Sequence, residues 1–143
     1  YPIQIPEMKK MHLIGGVIII FIVLVVIGAS VPSEIEEPTL PSYEVVNQED
    51  VSFENTVRIS VSVVVSSDLS DEELLRVSKS VVDKITSEQD VNAIGIFFYE
   101  NEADVGNITA LASVDWAPFG DWSRAIEVET GDYSNHEYNI VFS

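Results

Sequence analysis

Cysteine is absent from this chain of 143 residues. Without thiols the protein has no disulfide framework, no thiolate metal site and no lipid anchor on cysteine. The fold must therefore be stabilised by its apolar core alone.

Basic residues are scarce, whereas acidic residues are abundant. The chain has 7 lysines and arginines against 24 aspartates and glutamates, and its formal net charge is −17. Such a surface repels nucleic acid and anionic lipid headgroups, so we expect no nucleic-acid partner. It attracts cations or basic partners. It is also typical of proteins adapted to salt or to the outside of a cell.

One long stretch contains neither charge nor proline. Residues 13–29, LIGGVIIIFIVLVVIGA, would cover about 26 Å as a helix, enough for a thin hydrocarbon core. The stretch has no polar face, which a helix of this length in a soluble core would show. We predict a transmembrane helix here, in contact with the lipid bilayer.

The flanks of this stretch indicate its orientation. Lys9 and Lys10 precede it, and the next basic residue is Arg58, so we expect residues 1–12 to be a short cytoplasmic tail and the rest to lie outside. The alternative is a secretory signal cleaved near Ala29, which would leave a secreted product. Because the chain begins with tyrosine, we expect it to be a fragment or a processed product.

The next segment, residues 30–50, is acidic and contains three prolines. Prolines favour an extended backbone, and repulsion between like charges stretches it further. We therefore predict a linker here, followed by a folded domain at residues 51–143.

One helix and four strands are predicted in that domain. Ser70 and Glu73 form a capping box, and apolar residues recur at helical spacing within residues 69–88. Alternating or continuous runs of β-branched and aromatic residues predict strands at 57–65, 93–99, 109–116 and 137–142. The order β-α-β-β-β indicates an α+β fold, with the helix packed on one face of a mainly antiparallel four-stranded sheet.

Aromatic side chains are concentrated in residues 115–138, a region rich in turns. Aromatic rings beside an arginine suit the recognition of a peptide or a sugar face. The alternative is that the tryptophans close an open end of the core. As a binding site, this region would use Trp116, Phe119, Trp122, Arg124, Tyr133 and His136.

The same region carries a distinctive pattern, WAPFGDW at residues 116–122 followed by GDYS at 131–134. Together with LSDEE at 69–73 and the strand that includes 96–99, it resembles a family of small secreted or membrane-anchored prokaryotic domains. The likeness covers residues 58–142. The resemblance supports the fold prediction, and it implies no activity.

Catalytic candidates are few. His136 with Asp121 and Asp132 could transfer a proton or hold a metal ion. A serine nucleophile would be Ser123 or Ser134, but neither lies in a nucleophile elbow. One histidine with carboxylates is not the usual donor set of a zinc site, and we expect no cofactor.

The polar loop that follows the second predicted strand offers oxygen ligands for a hard cation. Its candidates are Glu100, Glu102 and Asp104, although their spacing is not that of an EF-hand. Asn107 begins an Asn-Ile-Thr sequon and is a glycosylation candidate if the domain lies outside the cell.

Three functions therefore remain open. The first is a membrane-tethered, non-catalytic domain that binds a protein, peptide or glycan through residues 116–138. The second is a hydrolase or metal-dependent enzyme centred on His136, Asp121 and Asp132. The third is an accessory subunit of a larger membrane complex. An enzyme requires a pocket where its polar groups converge, whereas a binding module requires an exposed aromatic patch.

Overall fold

The computed structural model describes residues 38–107 and 110–142. The predicted tail at 1–12, the predicted transmembrane helix at 13–29 and residues 30–37 of the predicted linker lie outside the described residues. Within the described ranges, no helix is both long and apolar enough to cross a membrane.

The compact unit Thr39–Ser143 is an α+β domain built on one five-stranded mixed sheet. The strands follow one another across the sheet in chain order, β1-β2-β3-β4-β5. The pair β2–β3 is parallel, and the other three pairs are antiparallel. The strands are β1 Tyr43–Asp50, β2 Arg58–Val65, β3 Ala93–Tyr99, β4 Ala112–Pro118 and β5 His136–Phe142.

The prediction of a linker through residue 50 and of four strands was wrong at β1. Tyr43–Asp50 forms an edge strand that pairs with β2, so the folded unit begins before residue 51. This strand is mostly exposed and acidic, and a bulge between Val45 and Asn47 interrupts its alternation. Main-chain pairing and the 2.8 Å hydrogen bond between the Tyr43 and Ser80 hydroxyls hold it in place.

The helix α1, Asp71–Glu88, connects the parallel strands β2 and β3. Its predicted capping box is confirmed: the Glu73 N–H donates to Ser70 Oγ over 3.3 Å, and the Ser70 N–H donates to Glu73 Oε2 over 2.8 Å. Three acidic residues in its first turn complement the positive end of the helix dipole. The helix buries one stripe of side chains, Leu74, Val77, Ser78, Val81, Val82 and Ile85.

The core lies between α1 and one face of the sheet, which we call the helix face. Because side chains alternate along a strand, every second residue of each central strand points to this face. Its fully buried members include Val61, Val63, Ile94, Ile96, Phe98 and Val114.

The opposite face of the sheet, the open face, has much less cover. The second of two short 3₁₀ helices, Trp122–Glu127, crosses part of it and buries Ala125 against Ala93 and Ala117. One helix on each side would be needed to cover both faces of a sheet. Among the described residues, these six form the helical cover on the second side, and part of the open face stays accessible.

Candidate functional site

The structure separates the six predicted binding residues into two groups, one in the helix-face core and one on or beside the open face. Trp116 belongs to the helix-face core with 7 % of its surface exposed, and its ring lies 4.9 Å from that of Tyr133 and 4.4 Å from that of His136. Tyr138 packs beside them, and burial, followed by the charge of Asp83, raises its pKa to about 12. These rings pack together as a cluster that closes one end of the core.

The candidate catalytic residues each have other hydrogen-bond partners. His136 Nε2 lies 2.8 Å from the carbonyl oxygen of Asn92, and Nδ1 is buried without a hydrogen-bond partner in the described residues. The Asp121 carboxylate accepts from the hydroxyl and N–H of Ser123 at 2.6 and 2.9 Å, which lowers its pKa. No hydrogen bond in the described residues joins the histidine to either predicted aspartate.

Asp132 likewise has a local role. Its carboxylate accepts the N–H of Ser134 over 3.1 Å, and this hydrogen bond is the main cause of its lowered pKa. A general base must lie within hydrogen-bond distance of the group from which it takes a proton. The Asp132 carboxylate instead accepts a main-chain N–H of its own turn.

The predicted cation loop is an exposed 3₁₀ turn, Glu102–Asp104. Asn101 Nδ2 donates to Asp104 over 3.3 Å, while Glu100 and Glu102 face solvent. Over residues 38–107 and 110–142, no three His, Asp or Glu side chains come together as a metal site would require. Asn107 is exposed, and the threonine of its sequon lies outside the described residues.

Trp122 lies on the open face, where Gly95 forms the floor beneath it. A Cβ atom at Gly95 would come within 3.2 Å of Trp122 Cζ3 and within 3.7 Å of both Asp115 and Phe97. The absence of a side chain therefore lets the indole approach the strand backbone closely. Arg58 contacts the same indole, with its guanidinium carbon 5.5 Å from the ring centroid.

A trough of 410 Å³ opens beside Trp122. Phe97 is 37 % exposed and forms one wall, although it lies in the central strand of the sheet. The remaining lining combines hydroxyl and carboxyl groups of β2 and β4 and the backbone of β3 with Val51, which precedes β2, and Trp122 of the 3₁₀ helix. Its residues are Val51, Ser60, Gly95, Phe97, Ser113, Asp115 and Trp122.

Asp115 is the unusual charged group of this trough. It faces Gly95 of β3 and Asn139 of β5 across the ladder, and its carboxyl is half-buried. Burial raises its pKa, and repulsion from Asp121 adds to the shift. Arg124 with Glu127 is the ion pair found in the described residues, so Asp115 has none there.

Phe119 and Arg124 lie at the margin of this surface. Phe119 is 48 % exposed and has a positive φ of 56°, an uncommon conformation for a large side chain. The Arg124 guanidinium carbon is 4.0 Å from its ring, while Nη2 is 2.8 Å from Glu127. A second depression of 610 Å³ contains Phe119 and shares Asp115 and Trp122 with the trough, so the two are contiguous.

Arg58, Gly95, Phe97 and Asp115 of this surface are not among the binding or catalytic residues predicted from the sequence. The run AIGIFFY at 93–99 is almost continuous in apolar residues, so its pattern does not show that one face of this strand is accessible at Phe97. A carboxylate in the middle of the apolar strand β4 was the signal that could have identified Asp115.

The comparisons with known proteins identify a family but no activity. No curated protein and no solved structure shows significant similarity to the chain. The match to a family model begins at the start of the folded unit and includes Trp116 and Trp122, and it ends before the GDYS motif at 131–134. The matched region, residues 38–123, is more than half of the chain, which therefore belongs to the family described as Domain of unknown function (DUF4875).

Proposed function

We propose that this protein is a membrane-tethered, extracytoplasmic and non-catalytic binding module. Its ligand is a basic peptide segment of a partner protein, which lies on the open face of the sheet. The observation that carries the proposal is the trough around Gly95, where Phe97 and Trp122 are accessible beside a half-buried carboxyl without an ion pair in the described residues.

The aromatic walls suit a peptide because rings supply large contact areas at low cost in conformational entropy. Phe97 and Trp122 stand on the rigid sheet and its adjoining 3₁₀ helix, so little order has to be gained on binding. A ligand that covers Phe97 would remove apolar surface from water, which favours association by roughly 25 cal/mol per Å².

Charge favours a basic ligand. The trough and the depressions beside it contain the acidic residues Glu49, Asp115, Asp121 and Glu137. Two cations border this surface: Arg58 packs on Trp122, and Arg124 packs on Phe119 and is paired with Glu127. A lysine or arginine of the ligand next to Asp115 would offset the repulsion between the aspartates and favour the ionised form.

The membrane part of the proposal rests on the sequence. The apolar stretch 13–29 and its preceding lysines support an anchor with the domain outside. Protease added to intact cells should degrade the domain and leave the tail protected. A domain that survives this treatment, but is degraded after the cells are lysed, would contradict the orientation.

The other two functions have less support. A hydrolase would need His136 and its carboxylates to share a pocket, but His136 Nε2 contacts a main-chain carbonyl oxygen and Asp121 caps a 3₁₀ helix. An accessory subunit of a membrane complex is a special case of the binding proposal, in which the basic segment belongs to another subunit.

The ligand class can be tested with fluorescently labelled peptides of equal length that differ in containing lysine and arginine, glutamate, or neither. Neutral oligosaccharides form a fourth probe. We expect anisotropy titrations to show binding of the basic peptides and weakening by about tenfold for Phe97→Ala and for Asp115→Asn.

Phe53→Ala is the matched control because Phe53 is exposed but does not line the trough. It should bind as the unaltered chain does. Equal affinity for all four probes, or equal losses in Phe53→Ala and Phe97→Ala, would exclude the open face as the specific site.

A further inference from the structure

The two edges of the sheet differ in how they are protected against pairing with another strand. The strand β1 carries Glu44, Glu49 and Asp50 and a bulge, which are common devices against edge-to-edge association. The strand β5, HEYNIVF, has one acidic residue, Glu137, and neither lysine nor proline. Within the described residues nothing pairs with its outer side.

The outward-facing hydrogen-bonding groups of β5 can be identified from its inner side. The N–H of Phe119 donates to the carbonyl of Asn135 over 2.7 Å, just beyond the paired residues Pro118 and His136. In an antiparallel ladder this pattern repeats every second residue, so 137, 139 and 141 bond to β4. The main-chain groups that face outward therefore belong to His136, Tyr138, Ile140 and Phe142.

We propose that β5 pairs with β5 of a second copy of this chain, in antiparallel orientation, with Asn139 at the two-fold axis. This register opposes Asn139 with Asn139, Tyr138 with Ile140, and Glu137 with Val141 of the second copy. It uses all four outward-facing residues of each strand and makes about eight main-chain hydrogen bonds.

The side chains of β5 suit this self-pairing. The only acidic side chain, Glu137, meets Val141, so no like charges lie directly opposite each other. Val141 is exposed on the open face, and Tyr138 and Ile140 are only partly buried on the helix face. Tyrosine opposite isoleucine is an aromatic–β-branched pair, which contributes roughly 0.2–1 kcal/mol across a ladder.

A dimer of this kind has a consequence for the open face. The two-fold axis at Asn139 is perpendicular to the sheet, so the open faces of the two copies lie on the same side of the dimer. The depression that contains Asn139 also contains Asp115 and Trp122, and the two copies of this surface would lie side by side. The pairing itself does not depend on any ligand.

Disulfide trapping tests the register because the chain has no cysteine of its own. Residues opposite each other in a non-hydrogen-bonded pair have Cα atoms about 4.5 Å apart, within the roughly 4.4–6.8 Å that a disulfide spans. We expect the full chain with Asn139→Cys, reconstituted in lipid vesicles and mildly oxidised, to form a covalent dimer. Gln48→Cys on the exposed strand β1 is the control and should stay monomeric.

Charge exchange tests specificity independently. Asn139→Lys and Asn139→Asp each place like charges at the axis and should weaken self-association by about tenfold. Mixing the two variants should restore it, because unlike charges then meet. Each variant should retain the unfolding transition of the unaltered chain. Cross-linking at 139 no greater than at 48, or failure of the mixture to associate, would overturn the proposal.

Discussion

Phe97 and Phe98 are neighbours in the same central strand, yet their environments are opposite. Phe98 is 0 % exposed beneath α1, whereas Phe97 stands at the edge of the trough on the open face. The difference arises from the cover on each side, an 18-residue helix on one and a six-residue 3₁₀ helix on the other. The helix face therefore contains most of the buried core, whereas part of the open face stays accessible.

The largest expected effect comes from the helix face. Phe98→Ala should lower the free energy of unfolding by about 3–5 kcal/mol, because it removes a fully buried ring and leaves a cavity. Phe97→Ala removes the same atoms from a partly exposed site and should cost less than about 1 kcal/mol. Urea unfolding followed by tryptophan fluorescence measures both, and equal costs would contradict the difference between the two faces.

Asn92 connects the strands to the segment that covers the open face, and its loss should have the second-largest effect. Its buried side chain accepts from the Val57 N–H at 2.8 Å and donates to the carbonyl of Val128 at 2.9 Å, with further bonds to Ala125 and Thr130. Asn92→Ala leaves these buried groups without partners, so we expect a loss of about 2–4 kcal/mol in unfolding free energy.

Asn101→Ala is the control for this effect, since Asn101 is exposed and its side-chain hydrogen bond to Asp104 is 3.3 Å long. Its cost should be within about 0.5 kcal/mol. Similar thermal unfolding of the two variants would show that Asn92 does not tie the segment to the sheet.

Gly95 lets the Trp122 indole pack closely on the open face, and its substitution should have an intermediate effect. Gly95→Val places a Cβ 3.2 Å from Trp122, and its methyl groups add to the crowding near Phe97 and Asp115. Overpacking of this kind costs about 1–3 kcal/mol. We also expect the fluorescence maximum to shift to longer wavelength, because the indole is displaced toward water.

A double variant decides whether this contact is the cause. In Gly95→Val with Trp122→Ala, the added side chain no longer meets the indole, so the two costs should not add. Additive unfolding free energies would mean that the valine is destabilising for another reason.

The parts of the fold that could be predicted are those with strong local signals. Three of these signals are local: the capping box at Ser70 and Glu73, the helical spacing of apolar residues in α1, and the alternation of apolar and polar residues in β2. The edge strand β1 could not be predicted in this way. Because its side chains are exposed and acidic, only its main-chain pairing with β2 distinguishes it from a linker.

The sequence did not show which aromatic side chains of the candidate site are accessible. Trp116 and Trp122 are six residues apart, but the turn at Phe119 and Gly120, with φ values of 56° and 69°, directs them to opposite faces. Gly120 packs against Asn139 of β5, with only 3.0 Å from the position of its missing Cβ to the Asn139 Cβ. A turn fixed by such a distant contact leaves no local pattern that tells which aromatic side chain is accessible.

The smallest expected effect on stability comes from Asp115, and it has the opposite sign from the others. Because the native pKa of Asp115 is raised by burial and by Asp121, the folded state holds the proton more tightly than the unfolded chain does. Stability is therefore lost as pH rises from the ordinary aspartate value of about 3.9 through the raised value. Asp115→Asn should consequently be more stable than the unaltered chain at neutral pH, and the difference should vanish in acid.

Asp132→Asn supplies the comparison, because the hydrogen bond from Ser134 lowers the pKa of that carboxyl. The stability that Asp132 contributes is present at neutral pH and is lost as pH falls through its native pKa, so Asp132→Asn should be destabilising at neutral pH. Urea unfolding at a series of pH values from acid to neutral measures both.

If Asp115→Asn stabilises the fold and also weakens binding of the basic peptides, a carboxylate that costs stability is retained for recognition. If it stabilises the fold and leaves binding unchanged, the open face does not use this carboxylate for its ligand.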